Sequence, residues 1–254
     1  QTAWLLWKNT GCVSQFEGEF QKGVGKILEV FRTEQAHEEK SGYRFIRGNS
    51  FYNDTLSREG KGALVRSNTG LIWSGFRPSD DACTYGYLIP SNMFAVVALG
   101  YLEEIEREIF HCPELEKEAG KLKEEIHNAI ETIGKTATQE FGVIYAYETD
   151  GYGMYNLMDD ANVPSLLSID YLGYPSDPDI GENTRRFLLS NGNPYYYEGK
   201  KAAGIGSPHT PSSYIWHISM AIQGLTSKDP EEKKRILRNM AATTGGKGVM
   251  HEGF

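Results

Sequence analysis

The chain has 254 residues, of which 39% are hydrophobic, and 26 Lys and Arg against 34 Asp and Glu give a net charge of −8. With a mean hydropathy of −0.47 it has the size to bury one large core or two small ones. No apolar run approaches the roughly 20 residues that span a bilayer. The lack of a basic stripe argues against nucleic acid as a partner, because backbone phosphates are held by clustered Lys and Arg; a neutral ligand suits the balance better. Cys12, Cys83 and Cys112 are odd in number and widely spaced, which fits neither a zinc site nor a disulfide framework and favours a reducing, cytoplasmic compartment.

The opening residues Gln1-Thr2-Ala3-Trp4-Leu5-Leu6-Trp7 read as the middle of an amphipathic helix, and the chain closes on Phe254; a segment truncated at both ends is expected. Phe16, Phe20, Val24, Ile27, Leu28 and Phe31 recur at three- and four-residue steps and predict a helix within residues 14–39. Residues 41–76 lose that period. Glycines from Gly42 to Gly75 punctuate them, so a long excursion with short strands such as Tyr43-Arg44-Phe45-Ile46 is expected, and loops of that length are commonly functional. Helix resumes after Pro90 with Ser91 as N-cap and runs to about Phe110. Pro113 opens the next, which carries Leu122, Ile126 and Ile130 before Gly134 closes it, so the two form an antiparallel hairpin. A strand is predicted over residues 141–148, and shorter helices over 162–169, 180–190, 212–226 and 230–242. Helical hairpins alternating with loaded connectors put the chemistry on one rim.

Four connectors carry that chemistry. In Arg77-Pro78-Ser79-Asp80-Asp81 the two acids are either a helix cap with a solvated neighbour or a proton donor beside a second charge, with Trp73 and Phe76 near enough to desolvate it. Arg77 acts in the opposite sense. Met158-Asp159-Asp160-Ala161-Asn162 lacks the alternating acids and distal Glu of a calcium loop; it suits hydroxyl binding or a helix cap at Asn162. Gly204-Ile205-Gly206-Ser207-Pro208-His209-Thr210 has neither the lysine nor the preceding strand of a phosphate loop, which leaves His209 as a ligand contact or a plain loop residue. Met250-His251-Glu252-Gly253-Phe254 lacks the second histidine of a zinc-protease motif, and Glu252 is the candidate second carboxylate. Tyr145, Tyr147, Tyr152, Tyr155, Tyr195-Tyr196-Tyr197 and Trp216 supply rings that either lie against sugar faces or fill the core.

Together these strings are far more specific than any one of them. Phe76-Arg77-Pro78-Ser79-Asp80-Asp81, Tyr87-Leu88-Ile89-Pro90-Ser91-Asn92-Met93-Phe94, the stretch from Tyr155 to Leu167, Gly204 to Thr210, and Met250 to Phe254 resemble glycoside hydrolase family 125 in order and spacing across essentially the whole chain. The resemblance implies a mainly α (α/α)6 barrel with a few short strands in loops, of which residues 1–254 form a single catalytic-domain segment. It implies a metal-independent exo-α-1,6-mannosidase, without cofactor, that inverts anomeric configuration on α-1,6-linked mannose of oligosaccharides or N-glycans. It further implies Glu252 as general base and an aspartate of the Arg-Pro-Ser-Asp-Asp string as acid: Asp80 by analogy with related barrels that use the first of two adjacent acids, Asp81 as the alternative. Arg77, Asp159, Asp160, Asn162, His209 and His251 are the candidates for gripping sugar hydroxyls. Two departures stand out. The family's N-terminal Gly-Asp and Trp-Leu-Arg-Asp-Ser strings, which help line the sugar pocket, are absent, and roughly four hairpins cannot close a barrel of six. The competing readings are a carbohydrate-binding segment without turnover and an α-barrel hydrolase of other α-glycosides.

Overall fold

The computed structural model describes residues 1–48 and 54–254. Helix α1 (Thr2–Thr10) ends at Gly11, whose φ of 73° lets its N–H reach back to the Trp7 carbonyl. The helix predicted over 14–39 is divided: a 3-10 turn (Ser14–Phe16), α2 (Phe20–Glu34) and α3 (His37–Lys40) follow one another. A single turn, α4 (Ser57–Gly60), has left-handed backbone at Arg58 and Glu59. The strand expected at Tyr43-Arg44-Phe45-Ile46 does not form. Phe45 instead donates to the Gly60 carbonyl and accepts from Leu56 N–H, and residues 49–53 of the 41–76 excursion lie outside the described residues.

Strand β1 (Tyr87–Leu88) runs straight into α5 (Ile89–Ile105), so Leu88 rather than Ser91 is the N-cap. Pro90 makes this entry natural, since its missing N–H is one the first turn leaves unbonded and its ring pre-sets φ. After a π-helical turn (Glu106–Phe110) the chain reverses at left-handed His111 into α6 (Pro113–Ile133). Ala119, Leu122, Ile126, Ala129 and Ile130 line one face of α6 and join Met93, Val96 and Leu99 of α5 in the main core, as a 3.6-residue period requires. This is the predicted hairpin. Buried Asn92 fastens the incoming loop to it: its carboxamide accepts from Ile72 N–H at 2.8 Å and donates to the Ile72 and Leu88 carbonyls at 3.0 and 2.9 Å.

The strand predicted over 141–148 is two pieces. β2 (Lys135–Thr138) pairs with β3 (Gly142–Tyr145), while β4 (Glu148–Thr149) lies between β1 and β5 (Tyr155–Asn156) in an antiparallel sheet. Where a helix was expected over 162–169 there is a 3-10 turn (Leu166–Ser168), capped by Ser165 and not by Asn162, leading into the short α7 (Ile169–Leu172). Helix α8 (Pro178–Leu188) is capped by Asp177, and the hairpin of β6 (Tyr196–Glu198) with β7 (Ala203–Ile205) follows. α9 (His217–Thr226) begins later than the predicted residue 212, because Ile215 and Trp216 give their backbone to Phe254 and Ile205. α10 (Pro230–Ala242), capped by Asp229, completes the order. Among the described residues no helix is long and apolar enough to cross a membrane.

Asn92→Ala removes one acceptor and two donors from groups that stay buried, each such orphan being worth about 1–3 kcal/mol. The urea midpoint is therefore expected to fall by an amount equivalent to about 3 kcal/mol; a change within experimental error would show that the 71–73 loop is held by other contacts.

Candidate active site

The acidic pair near residue 80 sits on a tight reversal. Phe76 and Ala82 form an antiparallel bridge, Arg77 N–H donates to the Asp81 carbonyl at 2.8 Å, and Asp80 N–H donates to the Arg77 carbonyl at 3.0 Å. Asp80 closes the turn with φ of 68°, a left-handed position that Asp tolerates better than most residues. The geometry sends the two carboxyl groups to different places. Asp80 is exposed at the tip, without a side-chain hydrogen bond among the described residues, whereas Asp81 is buried.

The turn is tied down from beneath. Arg77 and Glu148 are both buried, and Arg77 Nε donates to Glu148 Oε1 at 2.7 Å. Glu148 Oε2 accepts from the N–H groups of Thr84 and Tyr85 and from the Asn156 amide at 3.0–3.2 Å. Burial works against the Arg77 charge, but Glu148 outweighs it and raises the guanidinium pKa. Tyr147 lies under this pair, its ring 5.8 Å from the guanidinium carbon. Its buried hydroxyl has no protein partner among the described residues, and burial raises its pKa, as do Asp160 and Asp159 nearby.

The second acidic cluster divides by role. Asp159 is fully buried and spends both oxygens on the N–H groups of Leu166 and Leu167, each at 2.9 Å. Burial pushes it up to about 8 against the pull of these donors. The expectation that Asp159 grips a sugar is thus corrected: it shapes the 3-10 turn. Asp160 reaches the acidic turn, where Ser79 Oγ lies 2.7 Å from Asp160 Oδ2 and 3.1 Å from Asp81 Oδ2. One hydroxyl has one proton to donate, so two ionised carboxylates cannot both be served by it. Burial raises the pKa of Asp160 against the pull of the Ser79 and Ser207 hydroxyls. Asn162 is half-buried, its backbone N–H on Asp160 at 3.4 Å.

The C-terminal segment is mounted alongside. Phe254 exchanges both backbone hydrogen bonds with Ile215 at 3.0 Å, and a Cβ on Gly253 would stand 3.1 Å from the Tyr214 ring and 3.4 Å from Trp216. His251 N–H donates to His217 Nδ1, and the His251 ring donates to the Thr244 carbonyl at 3.1 Å. His251 is therefore a support for this segment, its ring already engaged. Glu252, between these anchors, is exposed and without a hydrogen bond or ion pair among the described residues. A continuous set of contacts leads from here to the acidic turn. Trp216 meets His209 edge-on with centroids 6.5 Å apart, and His209 Nδ1 lies 3.4 Å from Asp81 Oδ1.

A cleft of about 360 Å³ opens beside the turn, lined by Arg77, Asp81, Tyr85, Tyr155, Asn156 and Tyr195 among others. Arg77 thus borders the cleft, but with its charge committed to Glu148. A larger cleft of about 440 Å³, between α8 and the Tyr174–Pro178 stretch, holds neither member of the expected catalytic pair. The rings sort cleanly: Tyr145, Tyr147 and Trp216 are buried, Tyr155 and Tyr195 face the cleft, and Tyr152 is exposed. Sequence reasoning missed Ser79 and Glu148. A clue existed for Glu148, since a charge ending the apolar run Val143-Ile144-Tyr145-Ala146-Tyr147 must find a buried partner.

Comparison with known proteins places the chain in a family. The chain is 39% identical over 261 residues to the meiotically up-regulated gene 157 protein of Schizosaccharomyces pombe, covering 99% of the chain and 50% of that protein. It superposes with a TM-score of 0.96 and 47% identity on a Streptococcus pneumoniae protein of the metal-independent alpha-mannosidases, solved in a non-productive complex with alpha-1,6-mannobiose; 99% of this chain and 59% of that one are covered. The chain therefore spans about half the length of its curated relative. The profile of the metal-independent alpha-mannosidases, GH125, matches residues 1–254 throughout, and the chain belongs to that family.

Proposed function

We propose that this chain carries the acid–base pair of an inverting exo-α-1,6-mannosidase, working without a metal on terminal mannose of oligosaccharides such as N-glycans, within an (α/α)6 barrel. The observation that carries the reading is the state of two carboxyl groups from distant segments. Asp80 and Glu252 are each held out by a fixed backbone and are each uncommitted among the described residues, while Asp81, Asp159 and Asp160 are bound into the protein.

In this mechanism Asp80 gives its proton to the glycosidic oxygen as the bond to C1 breaks. Glu252 takes a proton from a water that attacks C1 from the opposite face, which inverts the configuration. Room for that water requires the two carboxyls to stand about 6.5–9.5 Å apart. Asp81, buried beside His209 and Ser79, is the alternative acid and otherwise fixes the ring with Asp160, Asn162 and His209. The relatives' alpha-mannosidase name and the mannobiose bound by the Streptococcus pneumoniae protein support the sugar and the linkage.

Glu252→Gln in the full-length protein is expected to lower kcat on α-1,6-mannobiose by about 10²–10⁴-fold with an unchanged circular dichroism spectrum; normal turnover would remove Glu252 from the mechanism. Proton donation is read from the leaving group. Asp80→Asn, which keeps a residue suited to left-handed backbone, should lose about as much activity on the disaccharide yet far less on an aryl α-mannoside whose phenolate departs unaided. If Asp81→Asn gives that pattern instead, the acid is Asp81. NMR of the first-formed product should show β-mannose, and α-mannose would refute inversion.

A further inference from the structure

The acidic turn contains its own antagonist. Arg77 belongs to the same five-residue reversal as Asp80 and Asp81 and is bonded to Asp81 through the backbone. Left unopposed, a guanidinium in the same turn favours a carboxylate over a carboxylic acid, and so works against a group that has to donate a proton. The groups that face the turn come from every element packed on it. Arg77 and Asp81 lie on the turn itself and Cys83 just past it; Tyr147 and Glu148 come from the β4 side, Asp160 from the second acidic cluster, and Tyr195 and His209 from the C-terminal half. Among these, Glu148 is the group placed on Arg77: its Oε1 takes Arg77 Nε at 2.7 Å, with both side chains buried.

Glu148 does not itself line the cleft; it sits behind the lining residues Arg77, Thr84, Tyr85 and Asn156. Its second oxygen is filled by Thr84 N–H, Tyr85 N–H and the Asn156 amide, so the carboxylate is fixed on three sides and cannot follow a substrate. Arg77 in turn spends another nitrogen on Thr84 Oγ1 at 3.2 Å.

Resting on the proposed role of Asp80, we infer that Glu148 is a positioning residue which neutralises Arg77 and holds the Phe76–Ala82 turn, so that the proton donor works beside a cancelled charge. Glu148 thereby places the alkaline limb of the pH–rate profile, the limb on which the donor loses its proton. A residue that only kept the turn folded would scale the rate at all pH values. A residue that cancels a charge moves the limb, and in a direction that follows the sign of the charge removed.

The experiment is the pH dependence of kcat/KM on α-1,6-mannobiose for the full-length protein. Glu148→Gln, which keeps an acceptor for the backbone N–H groups but leaves Arg77 unopposed, should move the alkaline limb down by about one pH unit. The double variant Arg77→Met with Glu148→Gln carries neither charge and should return the limb to its wild-type position, whatever the height of the profile. Should Glu148→Gln fail to fold, Arg77→Met alone leaves the anion uncompensated and should move the limb up. A limb that stays in place in the folded single variant, or moves the same way in both, overturns the inference. The assignment of the donor is checked separately with Asp80→Asn. That variant should abolish the limb, and a limb that persists in it refutes the donor rather than Glu148.

Discussion

The acidic side of the site depends on one buried ion pair. Arg77 and Glu148 bury both their charges, an arrangement whose desolvation penalty rivals its Coulombic gain unless every remaining polar atom is satisfied. Glu148 meets that condition through Thr84, Tyr85 and Asn156. These partners come from the segment after the turn and from β5, so the pair joins the reversal at 76–82 to the β1–β4–β5 sheet. What such a pair supplies is specificity of position more than net stability. With the pair in place the turn has one register, and Asp80 and Asp81 have fixed and opposite destinations.

A second junction couples the acidic loop to the C-terminal mount. At the end of β7, the Ile205 carbonyl accepts from Trp216 N–H and from Ser219 Oγ, while Gly206 bonds Tyr195 through its N–H and Ala161 through its carbonyl. A Cβ on Gly206 would lie 2.1 Å from the Tyr214 carbonyl and 2.7 Å from the Tyr197 ring, so only glycine fits. The Gly204 to Thr210 string is therefore a close-packed crossing of backbones. Through it the segment holding Asp160 and the segment holding Glu252 are positioned by the same two residues. The carboxyls proposed to work together belong to one connected framework although their numbers differ by more than half the chain.

The periodic part of the fold was readable from the residues. The α5–α6 hairpin, α8 and α10 all lie where their apolar spacing and their Pro and Gly punctuation put them. The strings carrying the candidate chemistry were likewise evident, because polar residues gathered in glycine-rich connectors have no packing reason to be there. Two of the failures share one physical cause. At 162–169 and 212–216 local propensity favours helix, but distant groups claim the backbone: the Asp159 carboxylate takes Leu166 and Leu167, and Phe254 takes Ile215. Helical periodicity in a window of neighbouring residues does not show either claim on the backbone. For the same reason the sequence did not show what holds Asp159 and Arg77. A polar side chain in a loop shows its chemistry in the sequence, but the partner that already occupies it lies 7 residues away for Asp159 and 71 for Arg77.

The backbone at Asp80 adds an argument of its own. Left-handed φ at a non-glycine residue carries a penalty of roughly 1–2 kcal/mol, smaller for Asp and Asn, and glycine would close the same turn without it. Among the described residues the Asp80 side chain makes no hydrogen bond that would offset that penalty. Asp81, one residue on and in relaxed backbone, is engaged by Ser79 and His209. A carboxyl at a left-handed tip with no partner among the described residues is the observation behind the role proposed for Asp80. On the other side, His251 and Phe254 are hydrogen-bonded and Gly253 packs against Tyr214 and Trp216, while the Glu252 side chain has no partner among the described residues. Rigid mounts with idle carboxyls are what acid–base work on a passing glycosidic bond demands, because the positions must be set before the substrate arrives.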